Sequence, residues 1–239
     1  MPTFSQHPTV RAAARNNALW CDAMSRAHGV AGTFTGDAWA AGARTPPYYP
    51  DAVTLAPGAD PAALVARIDT AAPGATVKDS FGDLDLTGAG FTVLFEAQWI
   101  HRPAAAPDSA PVLVPVPDAV RDPESLRAWA LARDDGDGDA DLFRPALLDT
   151  PDVHVIARRD TRGRINGGAV LNRGADAVGV SNLFSRAGSS DTVWTSALNA
   201  ARHFHPDLPV VGYEHGDDLT AALRHGFTGV GRLRVWLKP

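Results

Sequence analysis

The sequence predicts an α/β (α+β) protein, a mixed central sheet flanked by helices with a smaller lobe at its N-terminal end. Three observations lead there. Residues 112–239 alternate short apolar runs of β pattern with amphipathic helical windows. Residues 103–111, PAAAPDSAP, form a Pro/Ala linker without apolar periodicity. The segment before that linker repeats, in weaker form, the end of the segment after it. The division that follows is an N-terminal lobe over 1–103, a linker over 104–111 and a larger domain over 112–239.

In the larger domain, Val112–Val116 reads as a short strand whose prolines suit an edge or a strand end. Asp122 caps a helix through about Arg133, with Pro123 at its first position. The run 134–141, DDGDGDAD, is a loop, and a second helix is expected near Leu142–Leu148. Val153–Arg158 alternates as a strand, and Asp160-Thr-Arg-Gly supplies turn chemistry. Gly167–Asn172 and Ala177–Phe184 are two more strands. Thr192–Phe204 is helical, with Val193, Trp194, Ala197, Leu198, Ala201 and Phe204 at helical spacing. Pro209–Tyr213 is a strand, Asp217 and Asp218 open a helix through Arg224, and Gly226 suits a C′ position. Val230–Leu237 closes with a β pattern.

In the N-terminal lobe, Gly90-Phe91-Thr92 matches Gly226-Phe227-Thr228, and VLFEAQWIHRP matches GVGRLRVWLKP after one gap. Ala75–Phe81 corresponds to PVVGYE, while Ala52–Leu55 with the helix Pro61–Asp69 echoes the opening of the larger domain. Residues 10–28 read as one helix stopped by Gly29, and 44–50, RTPPYYP, must be extended or turned. Counterparts of 112–116, 153–158 and 167–172 are not visible, so the lobe reads as partial.

The chain carries a formal net charge of −5, and Lys78 and Lys238 are its only lysines, which argues against a nucleic-acid footprint. Cys21 is the only cysteine, so neither an internal disulfide nor a Cys-rich zinc site is available. No apolar h-region or bilayer-length apolar run is present, and a cytoplasmic enzyme or binding protein is the expectation. The acidic run lacks a glycine at its sixth position and a glutamate at its twelfth, so it is a solvated loop rather than a calcium loop. His203, His205, His215 and Asp217 lack zinc-ligand spacing, and no metal is expected.

The order β-α-α-β-β-β-α-β-α-β over 111–239 resembles the GCN5-related N-acetyltransferase (GNAT) fold. That resemblance implies an acetyltransferase with acetyl-CoA as co-substrate and an amine acceptor, small molecule or protein, and it allows a homodimer. In the family one strand splays from its neighbour, and the pantetheine of coenzyme A lies in the gap. The next loop, Arg/Gln-x-x-Gly-x-Gly/Ala, wraps the pyrophosphate at a helix N-terminus. By order, the strand 177–184 and the loop 185–191 take these roles, which implies cofactor contacts from Asn182, Leu183, Phe184, Ser185, Arg186, Ala187, Gly188, Ser189 and Ser190. With Arg186 in the first motif position, Ser189 and Asp191 replace the glycines; with Gly188 in the middle position, Ser185 and Ser190 flank it. The loop therefore reads either as a pyrophosphate site or as a plain turn in which Asp191 or Ser190 is the N-cap.

The tyrosine that often serves the family as general acid corresponds here to Ala222, and to Leu86 in the repeat. Tyr213 and Glu214, at the end of the strand beside the splay, are the substitutes, Glu214 as a base for the amine. The same two residues also suit an edge packing and a solvated carboxylate. Trp20, Cys21, Asp22, Arg44, Tyr48 and Tyr49 suit either a pocket between the lobes or core-to-surface packing. The alternative to an enzyme is the same fold without transfer, an acyl-CoA or small-ligand binding module or a dimerisation scaffold.

Overall fold

A computed structural model describes residues 7–104, 118–134, 139–186 and 190–239. The N-terminal half holds a long helix α1 (His7–Ala27), a hairpin β1 (Gly32–Phe34) and β2 (Ala38–Ala41), then β3 (Ala52–Thr54), a short α2 (Pro61–Val65), β4 (Ala75–Asp79) and β5 (Thr92–Arg102). The C-terminal half holds α3 (Pro123–Arg133), β6 (Val153–Arg159), β7 (Ile165–Arg173), β8 (Val178–Ser185), α4 (Ser190–Phe204), β9 (Val210–Glu214), α5 (Gly216–Arg224) and β10 (Thr228–Lys238).

All these strands join one mixed sheet in the order β1-β2-β3-β4-β10-β5-β9-β8-β7-β6. The last strand of the chain thus lies between two strands of the N-terminal half, and β5 lies against β9 of the C-terminal half. β5 and β10 are antiparallel about a central pair, Leu233 opposite Ala97, flanked by Arg232–Gln98 and Arg234–Glu96. Their approaches are alike as well. Gly90 and Gly226 both sit at positive φ, 83° and 81°, and close equivalent turns in which Phe91 N–H donates to Leu86 C=O and Phe227 N–H to Ala222 C=O. Glycine is favoured at both positions because a Cβ is strained in that region.

Several expectations change. The helix near Leu142–Leu148 is a 3-10 turn at Pro145–Asp149, since Pro145 has no N–H to continue an α-helical ladder. The first helix begins at His7 rather than at residue 10. The hairpin β1–β2 occupies the positions that β6 and β7 hold in the other half, so two strands absent from the sequence pattern are present. Their residues, GTF and AWAA, carry no apolar–polar alternation because β2 is buried along its length. The expected strand 112–116 and residues 135–138 of the expected loop lie outside the described residues; Ala119 bridges to Ile156 just after the former.

α1 crosses the sheet and ties the halves together. Asn16 Nδ2 donates to the carbonyls of Asn172 and Ala177, and Asn172 Nδ2 donates back to Asn16 C=O, at 3.0–3.1 Å. Both amides are buried, and these three bonds fix the register of α1. Gly179 of β8 makes room for it, because a Cβ there would meet both Asn16 and Asn172. The next turn of α1 then presents Asn17, Trp20 and Cys21 to the end of β8.

Candidate functional site

β8 and β9 run parallel but pair only through Val178–Val210 and Gly179–Val211, after which they part. A bulge adds to the divergence. Along the β7–β8 ladder, Gly168 faces Phe184 while Val170 faces Ser181, so β8 carries one residue too many across this step. The excess falls at Asn182–Leu183, and Asn182 adopts φ 51°. A bulge of this kind takes backbone groups out of the ladder and turns them elsewhere.

A cavity of about 260 Å³ opens where the strands part. One wall is β8, from Val180 to Leu183, and a second is the end of β9, Tyr213 and Glu214. α1 supplies Asn17, Trp20 and Cys21, and the loop 44–50 supplies Tyr48, Tyr49 and Pro50. Lys78 and Arg133 complete it. Tyr49 is buried, stands edge-on to Trp20 with ring centres 6.0 Å apart, and points its hydroxyl at Asn182 Oδ1, 3.5 Å away. Burial raises its phenol, so it stays a donor. Tyr48 is exposed and held at φ 71°, a conformation costly for a side chain of this size. It borders both this cavity and a neighbouring one of about 290 Å³ on the far side of the same loop.

Glu214 and Tyr213 therefore meet in one cavity. Tyr213 lies edge-on to Trp99 at 5.6 Å, and the Lys78 ammonium sits 4.1 Å above its ring. Burial pushes the Glu214 carboxyl up from 4.5 to about 8, with the like charge of Asp218 adding to it. No side-chain hydrogen bond to Glu214 is made among the described residues. Burial pushes the Cys21 thiol up to about 11, which disfavours the thiolate a nucleophile needs, and Sγ faces Asn17 Oδ1 at 3.8 Å.

Of the other sequence candidates, Asn182 and Leu183 line the cavity, while the ring of Phe184 packs edge-on against Trp129 in the core. Ser185 Oγ is buried without a hydrogen-bond partner among the described residues. Arg186 donates from its guanidinium to Ala132 C=O, and Ser190 opens α4. Ala187, Gly188 and Ser189 lie outside the described residues. Asp191, the carboxylate at the start of α4, has its Oδ1 3.1 Å from Arg224 and 3.0 Å from His225 at the end of α5. The Arg224 guanidinium beside it offsets its negative charge at a helix end that favours anions.

Ala222 and Leu86 are buried, so neither tyrosine position of the family offers a polar group to the site. Asp22 turns away to Arg26 and Trp39 Nε1, and Arg44 pairs with Asp51. The histidines are scattered: His205 lies near His154, whereas the His215 ring lies tilted beside Phe95. Among the described residues, no three His, Cys, Asp or Glu are grouped to hold a metal ion, and no helix is long and apolar enough to cross a membrane.

Sequence reading missed Lys78, Asn17 and Arg133. Lys78 carried one available signal, its rarity, as one of two lysines in the chain.

A parallel pair that splays beside a bulge and feeds a long helix defines the class of acyl-CoA N-acyltransferase folds. Among solved structures, the chain is similar to a GCN5-related N-acetyltransferase from Kribbella flavida, with a TM-score of 0.59, 16% identity and 95% of each chain covered. It is also similar to a putative acetyltransferase of the GNAT family from Novosphingobium aromaticivorans, with a TM-score of 0.54, 15% identity, 94% of this chain and 97% of that one. No family model and no curated protein matches the sequence. The chain has the GNAT fold.

Proposed function

We propose that the protein moves an acetyl or other acyl group from acyl-CoA to an amine, with the gap between β8 and β9 as the thioester site. The observation that carries this reading is that gap: two parallel pairs, then a bulge and a cavity at the point of divergence. Backbone N–H groups freed by the bulge at Asn182–Leu183 suit a thioester carbonyl and the oxyanion that develops on it. The neutral amine attacks that carbonyl carbon, a C–N bond forms, and the C–S bond breaks to release coenzyme A. Glu214, as carboxylate, takes the proton that the amine sheds. Solvent protonates the departing thiolate, since no tyrosine stands at position 222. The start of α4, with Arg186 and Ser190 beside it, suits the pyrophosphate. Cavity size favours a small amine over a folded protein.

Titrating acetyl-CoA while following thermal unfolding should raise the midpoint by mass action, and thiol should be released when an amine is added. No shift at millimolar acetyl-CoA would sink this reading. The buried Ala222 and Leu86 favour a second one, a fold that binds acyl-CoA without transferring it. A thermal shift with no thiol release across a broad amine panel would support that alternative.

A further inference from the structure

Lys78 is 3% exposed, yet it lines both cavities. One N–H donates to Asn17 Oδ1 at 2.8 Å, and the ring of Tyr213 lies 4.1 Å below. No carboxylate is paired with it among the described residues: Glu214 lines the same cavity without an ion pair to it, and the aspartates nearby are engaged elsewhere. Asp22 holds Arg26 and Trp39, Asp51 holds Arg44 together with the N–H groups of Thr45 and Thr76, and Asp79 holds backbone amides on the other face of β4. Arg133, the other cation of the smaller cavity, is paired with Asp134. A buried ammonium with an amide oxygen and an aromatic face but no counter-charge is under-compensated. In a chain with 22 basic residues, only two of them lysine, such a group stands out in the wall of a site.

From this placement, and resting on the acyltransferase reading above, we infer that the acceptor is a small amino acid whose carboxylate seats on Lys78 while its amine meets Glu214. One cation without a counter-charge and one carboxylate in the same cavity match the two ends of an amino acid. A volume of about 260 Å³ holds a molecule of that size. A phosphate is the poorer match, since its greater charge calls for more than the single uncommitted ammonium.

The test is a panel of the common α-amino acids, their primary amides and phosphoethanolamine, assayed for thiol release from acetyl-CoA and, separately, for thermal stabilisation without it. Amino acids should exceed their amides by about 10- to 100-fold in kcat/KM, the usual weight of a charge-assisted contact. The Lys78→Met variant should bring that ratio close to one. Amino acids should raise the unfolding midpoint of the native protein while their amides do not, and Lys78→Met should lose this response. Unliganded Lys78→Met should unfold no earlier than the native protein, since it removes a buried charge that no carboxylate pairs, and its one hydrogen-bond partner, Asn17, lines the open cavity.

Equal use of acids and amides, preference for phosphoethanolamine, a preference that survives Lys78→Met, or a midpoint lowered by several degrees in that variant would each overturn the inference. Acylation of neutral amines alone would do the same while leaving the acyltransferase reading intact. Stabilisation by an amino acid through Lys78 with no thiol release would keep the carboxylate seat and sink the transfer reading. The two failures are thus distinguishable.

Discussion

Asp79 ends β4 and Glu214 ends β9, and the sheet places them equivalently. Lys78 and Asp79 lie opposite Val235 and Arg234 of β10, as Tyr213 and Glu214 lie opposite Trp99 and Gln98 of β5. Around them the two halves share further geometry. β3 and β4 pair in parallel through Ala52–Val77 and Val53–Lys78 only, as β8 and β9 do through their own two pairs. The fillings differ. Asp79 is buried and accepts N–H bonds from Phe81, Gly82, Asp83 and Leu84, while Thr54 Oγ1 bridges across to Ser80 N–H. The helix after β3 is five residues long, is capped by Asp60 and starts with Pro61. The helix after β8 runs for fifteen, and Glu214 faces a cavity with no such donors. One architecture therefore yields a half whose carboxylate is sealed by backbone donors and a half whose carboxylate is desolvated beside a cavity.

The widest test of that contrast is to remove residues 228–239. Because β10 fills the space between β4 and β5, the expected result is loss of cooperative unfolding in the whole chain by calorimetry. A surviving N-terminal transition would mean that the first half stands alone. Next, Asp79→Ala strands several buried N–H groups and should cost about 3 kcal/mol, lowering the midpoint by about 10 °C. Glu214→Gln leaves no comparable orphan, and its loss should fall on activity, by about 100-fold in kcat.

Glu214 also sets a pH dependence. A base acts only as the carboxylate, so kcat/KM should climb with pH toward an apparent value near 8, and Glu214→Gln should flatten that limb. Stability should move the opposite way. The folded state keeps a proton that the unfolded chain releases above about 4.5, so stability declines as pH rises through about 8. The midpoint of Glu214→Gln should match the native one at pH 4 and exceed it by several degrees at pH 9. A constant offset would place the effect outside this carboxyl.

The smallest predicted difference lies between the paired turns. Gly90→Ala and Gly226→Ala each force a Cβ into positive φ, at about 1 kcal/mol. The second should cost slightly more, because its Cβ would meet the Arg102 guanidinium at 3.3 Å whereas the nearest atom to the first is Lys238 Cε at 3.9 Å.

Much of the fold was legible because its signals are local. Helix periodicity in 192–204, Pro123 after Asp122, and Gly226-Phe227 with its echo at Gly90-Phe91 all record contacts or caps within a few residues. β1 and β2 were not legible, since β1 is only three residues long and β2 is buried at all four positions, so neither shows an alternation. Within the site, Tyr213 and Glu214 could be picked by their place after a strand. Lys78 and Asn17 could not, because they come from elements 61 positions apart in the chain.

By itself the sequence determined the type and order of most elements and the strand from which the splay begins, because backbone propensity and capping act over short range. Only the tertiary structure decided that β10 lies between β4 and β5, that Asp79 is sealed while Glu214 is exposed to a cavity, and that a lone ammonium shares that cavity. Those outcomes depend on burial and on charges brought together from distant segments. Desolvation and Coulomb energy follow distance in space, which the order of residues does not record.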